Sequence, residues 1–320
     1  PKPADLPNIF TEFRKKVERI AAVRPPLARP KALPQAILLL PGDLPTEQEL
    51  GGGPAEHDPR AVLPFRGGET AALQRVQTYI WEADALRHYK ETRNGLLGGN
   101  YSSKFSAWLA NGTLSPRWIH AEVKLYERER VANDSTYWLV FELFWRDFFR
   151  FVARRAGKRI FLPSGAKGGT APPVTFHRPT LQAWIDGRTG YPFVDANMRE
   201  LGRTGFMSNR GRQNVASFLV RDLKQPWIAG AEYFESLLLD YDPCSNYGNW
   251  NYVAGIGNDP REDRYFNILK QARVYDPNGE YTRTWVEEDR DLPGVAAHEP
   301  WRAGNRGGAY VKRIVELRES

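Results

Sequence analysis

From Gly67 onward, apolar residues recur at three- and four-residue steps, the period of helices with one buried face. In GGETAALQRVQTYIWEADALRHYKETR, Ala72, Val76, Tyr79 and Ile80 fall at that spacing. SPRWIHAEVKLYERER (115–130) predicts a helix capped by Ser115, with Pro116 at its first position. The most apolar stretch, DSTYWLVFELFWRDFFRFVARRAG (134–157), repeats Trp138, Phe141, Trp145, Phe148 and Val152. Asp134 or Ser135 is expected to cap it and Gly157 to end it. TLQAWIDGRTGYPFVDANMRELGRTG (180–205) predicts two helices around a Gly-Tyr-Pro turn. SNRGRQNVASFLVRDLKQP (208–226) predicts one more, starting at Ser208, stopping before Pro226 and burying Val215, Phe218, Leu219 and Leu223. EYFESLLLDYDP (232–243) predicts a helix ending at Pro243, which leaves Asn246 in a short loop.

Residues 1–65 differ. They are rich in Pro and hold one short amphipathic helix, in LPNIFTEFRKKVERI (6–20), and a brief apolar run, AILLL (36–40). This pattern predicts an irregular connector over 1–65, laid on a helical domain over 66–320.

Composition narrows the chemistry. Lys plus Arg number 45 against 38 Asp plus Glu, a net charge of +7 that permits a polyanionic partner without demanding one. Ten Trp and a 12% aromatic share suit core, stacking surface or electron relay, with core as the default. A single Cys excludes an internal disulfide and fits a reducing intracellular compartment. No run of 18 apolar residues predicts a membrane span. The five His are scattered, with no HExxH and no paired Cys, so no metal site is expected. The triple Gly at 51–53 lacks a following Lys-Ser/Thr and is not a phosphate loop.

Candidate chemistry gathers in three places. Phe206–Tyr252 holds an Arg-rich segment, Asp240, Asp242, Asn246, Trp250 and Tyr252, and no His. That inventory is poor for hydrolysis and suits a large aromatic cofactor, though a helical core with a polar cap reads equally well. Arg212 lies one turn from Ala216, so it points inward toward Asp240 or outward into solvent. Gly98, Gly99, Ser102, Ser103 and Ser106 surround Lys104, where small residues and hydroxyls suit an anion or simply a capped helix start. Glu142 sits among aromatics and needs a partner; Arg146, four residues on, offers an intrahelical one.

Two of these segments, SNRGRQNVASFLVRDL and DYDPCSNYGNWNY, resemble the flavin-binding core of the photolyase/cryptochrome family, in wording nearest its DASH-type members. GNDPREDRYFN (257–267), NGEYTRTWVEE (278–288) and YKETRNGLLGGNYSSKFSAWLANGTLSPR (89–117) continue the resemblance. It is dense over 66–290 and looser over 6–65. It implies a mainly α-helical, FAD-binding, blue-light-dependent protein. The implied activity is deoxyribodipyrimidine photo-lyase repair of cyclobutane pyrimidine dimers, preferentially in single-stranded DNA, by electron transfer from photo-excited reduced FAD. The implied alternative is a photoreceptor that signals to a protein partner.

By the same resemblance, Tyr89 and the run Ser102, Ser103, Lys104, Phe105 and Ser106 line the FAD phosphates and ribityl chain. Arg212 pairs with Asp240 beside the flavin ring, Asp242 joins the cofactor contacts, and Asn246 faces the N5 position. Glu142 and Trp145 face the flipped dimer. Trp250, nearest the flavin, and Trp227, next outward, pass electrons. Asn209, Arg210, Gln213 and Tyr252 lie on the DNA side. Val174 occupies the place of a usual third relay Trp. Gln213 and Tyr252 stand where other photolyases have Met and Trp, differences that bear on the dimer pocket. The family's N-terminal α/β domain, which holds an antenna chromophore, would precede residue 1, so no complete folate antenna site is expected in this chain.

Overall fold

The computed structural model describes residues 5–28, 30–32, 34–35, 42–53, 57–171, 173–259, 265–303 and 310–317. The apolar run at 36–40 lies outside them. Among the described residues the architecture is helical and contains no strand. In chain order the helices are α1 (Phe10–Ile20), α2 (Glu69–Val76), α3 (Tyr89–Thr92), α4 (Ser106–Asn111), α5 (Pro116–Glu129), α6 (Asp134–Ala156), α7 (Arg178–Ile185), α8 (Pro192–Thr204), α9 (Asn209–Ser217), α10 (Trp227–Leu237), α11 (Pro243–Ala254), α12 (Ile268–Tyr275) and α13 (Glu280–Trp285). Helices α2 and α9 each run directly into a π-helical turn, at Gln77–Glu82 and Phe218–Asp222.

Local chemistry explains most boundaries. Ser115 accepts from the Arg117 amide, and Pro116 fits the first turn because that position needs no N–H. The cap of α6 is Asn133, one residue before the two candidates. Its side chain accepts from the Ser135 and Thr136 amides, while Thr136 reaches back to the Asn133 amide. Asn133 alone of the three neighbours has extended rather than helical backbone, which is what a cap requires. Gly157 ends α6 at φ 58°.

The segment 232–243 departs from expectation. Its helix begins earlier, at Trp227 directly after Pro226, and ends at Leu237. Pro243 does not stop a helix but opens α11, capped by Asp242, whose carboxylate accepts from the Ser245 amide at 2.8 Å. Asn246 therefore sits on the first turns of α11 and not in a loop.

The 23-residue helix α6 is the axis. To one side α2, α4 and α5 bury Val76, Tyr79, Trp108, Ile119, Val123 and Tyr126 with Leu139 and Val140. To the other, α7 to α13 bury a larger cluster that includes Trp184, Phe193, Val215, Phe218, Phe234 and Trp250. Two bare glycine backbones set the spacing there. A Cβ on Gly230 would lie 2.2 Å from the Trp250 ring, and one on Gly248 would lie 2.4 Å from Phe149. Helix α1 lies across α6, with the Phe10 ring stacked 3.7 Å from Trp145 and Phe13 tilted against Phe148. Burying two such rings stabilises the contact by roughly 3–6 kcal/mol. The segment before Gly67 touches the helical body again at Arg60, whose guanidinium lies 4.4 Å from the Trp285 ring centre.

Candidate functional site

Between α6, α9, α11 and the loop entering α4 lies a cavity of about 460 Å³, within the usual size of ligand sites. Its lining brings together Tyr89, Ser102, Ser103, Lys104, Phe105, Ser106, Glu142, Trp145, Asn209, Arg212, Gln213, Asp240, Asp242 and Tyr252.

The loop at 98–105 is shaped by a residue far from it in sequence. Arg75, buried on α2, donates to the carbonyls of Gly99 (2.8 Å), Ser102 (3.1 Å) and Ser103 (2.9 Å) and to Asn100 Oδ1 (3.0 Å). These carbonyls are spent on the guanidinium. Among the described residues, the backbone N–H groups of Ser102–Ser106 hydrogen-bond to no protein acceptor. A run of unused N–H donors at a cavity wall is an anion cradle. Lys104 within it has a left-handed backbone, φ 57°, a conformation that costs a β-carbon residue about 1–2 kcal/mol. Its side chain is buried, with Nζ 3.3 Å from the Tyr101 ring centre and donating to Gly99 O at 3.1 Å. Burial and the neighbouring Arg75 push this ammonium down to about 6, against the pull of Glu200. Glu200 on α8 is itself buried and pushed up to about 8, although Tyr281 donates to it at 2.7 Å.

Next to the loop, Arg212 Nη2 donates to Asp240 Oδ2 at 2.9 Å, and its Nε donates to Met207 O. Asp240 is buried, and its Oδ1 has no partner among the described residues. Asp242 caps α11 and accepts from Arg150 at 3.1 Å.

Helix α6 also lines the cavity. Glu142 does not pair with Arg146, which reaches across to Leu109 O at 3.1 Å. Arg93, at the end of α3, donates to Glu142 Oε1 instead, because tertiary packing brings it closer than the helix neighbour. Burial pushes the Glu142 carboxyl up, while the Arg93 charge pulls it down. Trp145 stacks on Phe10, and the Tyr252 ring stands perpendicular to it at 5.9 Å. Asn209 is exposed at the first position of α9, and Gln213 is half-buried one turn on.

Four singled-out residues do not line the cavity. Arg210 lies 4.4 Å over the Tyr275 ring and donates to Asn94 at 3.0 Å. Asn246 is buried and donates to Ala231 O at 3.0 Å, tying α11 to α10. Trp250 packs edge-on against Phe234 at 5.2 Å and against Trp184 at 6.4 Å. Trp227 donates to Pro163 O at 3.2 Å and is edge-on to Tyr247. Val174 is 49% exposed. The lining also includes Arg146, expected only as a partner for Glu142, and Arg93, Phe206 and Asn249, to which the sequence assigned no role. Helical spacing was the available signal for two of them. Arg93 lies four residues after Tyr89, and Asn249 seven after Asp242.

These residues fit a dinucleotide cofactor. The loop offers unused donors for phosphates, Arg212 and Asp240 present a charged pair with a spare carboxylate oxygen, and the cavity is large enough to take an aromatic ring system. Residues 138–320 match the family described as the FAD binding domain of DNA photolyase. That defines the class, a helical FAD-binding domain of photolyase type. The chain is 55% identical to the Cryptochrome DASH of Gloeobacter violaceus over 98% of its own length and 65% of the relative's. It overlays the Synechocystis cryptochrome with a TM-score of 0.92 and 51% identity, covering 98% of this chain and 67% of that one. For a class III photolyase of Agrobacterium tumefaciens the TM-score is 0.85 at 28% identity, covering 99% and 68%. The chain belongs to the photolyase/cryptochrome family, and curated relatives named Cryptochrome DASH are similar to it at 50–55% identity. It spans somewhat less than two thirds of the length of the curated relatives it matches.

Proposed function

We propose that this chain repairs cyclobutane pyrimidine dimers in DNA under blue light, preferentially in single strands, with residues 66–320 as the catalytic FAD domain and 1–65 as a connector laid over it. One observation carries the reading. A single cavity is lined by an anion cradle, Ser102–Ser106, together with a carboxyl and an aromatic ring, Glu142 and Trp145.

When bound, reduced FAD supplies the light-driven electron that splits the dimer. The chain's own residues hold and exclude. Ser102–Ser106 donate to the phosphates, with Tyr89 beside them. Arg212 and Asp240 would hold the ring system as a fixed charge pair, and Asp242 orients the first turn of α11. Trp145 offers a flat apolar face to the flipped bases. Glu142, whose carboxyl burial keeps toward its neutral form, offers a hydrogen bond or a proton to a base edge. Arg93 positions that carboxyl. Gln213 and Tyr252 complete the substrate side, and Asn209 at the cavity lining and Arg210 outside it meet the DNA. Asn246, held by its bond to Ala231 O, would tune the reduced cofactor. Trp250 and Trp227, which do not line the cavity, form the path that resupplies electrons from outside. A dimer in a single strand is reached without breaking base pairs, which removes part of the cost of flipping it out.

The test is light-dependent dimer splitting by the fully reduced chain, on single-stranded oligonucleotides and on dimers in duplex loops. Repair of both, with closed duplex slower, is expected. Intact dimers in both substrates overturn the proposal.

A second reading, light sensing relayed to a partner protein, draws on the C-terminal segment. Ile314 donates to Thr189 O at 3.0 Å, and Tyr191 donates to Val315 O at 2.7 Å, so this segment is fastened to the turn that leads into α8. The same repair assay separates the two readings.

A further inference from the structure

Among the described residues the ring in contact with Trp227 is a phenol and not an indole. Tyr247, on α11, stands edge-on to Trp227 with 6.2 Å between centroids. Tyr247 is 5% exposed, and its phenol donates to Glu235 Oε2 at 2.7 Å. Glu235 lies on α10 eight residues after Trp227 and is exposed to solvent. Burial first, and then the hydrogen bond to Glu235, hold the Tyr247 phenol above its ordinary range, so it keeps its proton until it is oxidised. An oxidised phenol is strongly acidic. A buried one is oxidised readily only where a base within hydrogen-bond reach takes the proton as the electron leaves, because the charged form is costly away from water. A second phenol, Tyr241, shares the Glu235 carboxylate, but no ring contact joins it to Trp227 among the described residues.

We propose that Tyr247 is the outer end of the electron path and Glu235 its proton acceptor. This rests on the flavin photochemistry proposed above. Trp227 first loses one electron inward, by way of Trp250, to the photo-excited oxidised flavin. Tyr247 then gives one electron to the Trp227 cation radical and its phenolic proton to Glu235. The indole returns to its neutral form, the phenol becomes a neutral phenoxyl radical, and the carboxylate becomes a carboxylic acid. One electron and one proton move, and total charge is unchanged. Glu235, being exposed, passes the proton to water. The path thus ends in a neutral tyrosine radical where a third indole would otherwise hold the charge.

Two arms test this. In the first, flavin-loaded chain carrying ring-deuterated tyrosine is illuminated, frozen and measured by electron paramagnetic resonance. A narrowed tyrosyl signal is expected in the parent and in Tyr241→Phe, and it is absent in Tyr247→Phe. Glu235→Gln keeps the shape but lacks the base, and slows decay of the tryptophan radical at least roughly tenfold, a barrier rise of about 1.4 kcal/mol. A solvent deuterium isotope effect on that decay in the parent disappears in the Gln variant. In the second arm, cofactor-free chain is oxidised at its indoles by azide radical, and transfer from tryptophan to tyrosine is followed by absorption. Trp227→Phe and Tyr247→Phe should each remove the same kinetic phase. Absence of any tryptophan oxidation in the first arm defeats the flavin photochemistry, while the second arm still decides on Tyr247. A tyrosyl signal that survives Tyr247→Phe, or that moves with Tyr241→Phe, overturns the proposal.

Discussion

Replacing Glu200 by Gln should make stability rise more steeply with pH between pH 6 and 8. Folded, Glu200 titrates at about 8 instead of 4.5, because burial disfavours its charge. The native chain therefore holds an extra proton across that interval. Its contribution to stability is complete below pH 4.5 and is lost as pH rises through about 8. Lys104 behaves oppositely. Its ammonium titrates at about 6 instead of 10.5, so its contribution is complete above pH 10.5 and is lost as pH falls through about 6. Between pH 6 and 8 the two slopes, each about 1.4 kcal/mol per pH unit, cancel. Gln at 200 still accepts from Tyr281 but has no proton to exchange. Of the pair only the Lys104 slope then remains, and stability rises by about 3 kcal/mol more than in the parent from pH 6 to pH 8. Urea unfolding of parent and variant at the two pH values, at equal m, reads this directly. A Gln variant no steeper than the parent would mean that Glu200 is ionised in the folded protein, and the electrostatic account of the cavity would fail. The same balance has a binding consequence. A diphosphate entering the cradle draws Lys104 into its charged form, so binding in this window takes up a proton. Calorimetry in buffers of different ionisation heat measures that uptake.

Other outcomes follow from the same geometry. Glu142→Ala should lower dimer repair per photon by about tenfold or more while flavin content is unchanged, as expected of a group that meets only the substrate; equal repair per photon would refute its placement. Asn246→Ala removes the donor to Ala231 O and should change the reoxidation rate of the reduced cofactor, followed by stopped-flow absorption; an unchanged rate would contradict the N5 assignment. Gly230→Ala forces a methyl to within 2.2 Å of the Trp250 ring and should destabilise the fold by about 1–3 kcal/mol in chemical unfolding. A neutral result there would mean that α10 and α11 are not so closely packed.

What the sequence made legible depended on how local each cause was. The helical period located α2, α5, α6 and α9, since side-chain burial repeats with the backbone turn. The cap of α6 was missed by one residue. Asn133, Asp134 and Ser135 are all able to cap, and backbone conformation, not residue type, chose among them. Pro243 was ambiguous for a related reason. Proline stops a helix and also starts one, and only the Asp242 side chain turning onto the Ser245 amide decided. In the site, the small residues at 98–106 pointed to the anion loop. Arg75, which shapes that loop from more than twenty residues earlier, carried no local signal. Glu142 needs a partner among its aromatic neighbours, yet that partner is Arg93, 49 positions away, and not the helical neighbour Arg146. The family resemblance supplied what spacing did not, namely which polar residues face one cavity.

The central claim is that this cavity is built for FAD, and the most direct measurement is the flavin content of the purified, reconstituted chain. The chain is denatured, and the released flavin is identified and counted against protein. The account predicts FAD, close to one per chain, falling sharply in Arg75→Met as the loop loses the group that holds its carbonyls. Little or no flavin after reconstitution, or full flavin retention in Arg75→Met, would contradict the cradle as the cofactor's seat.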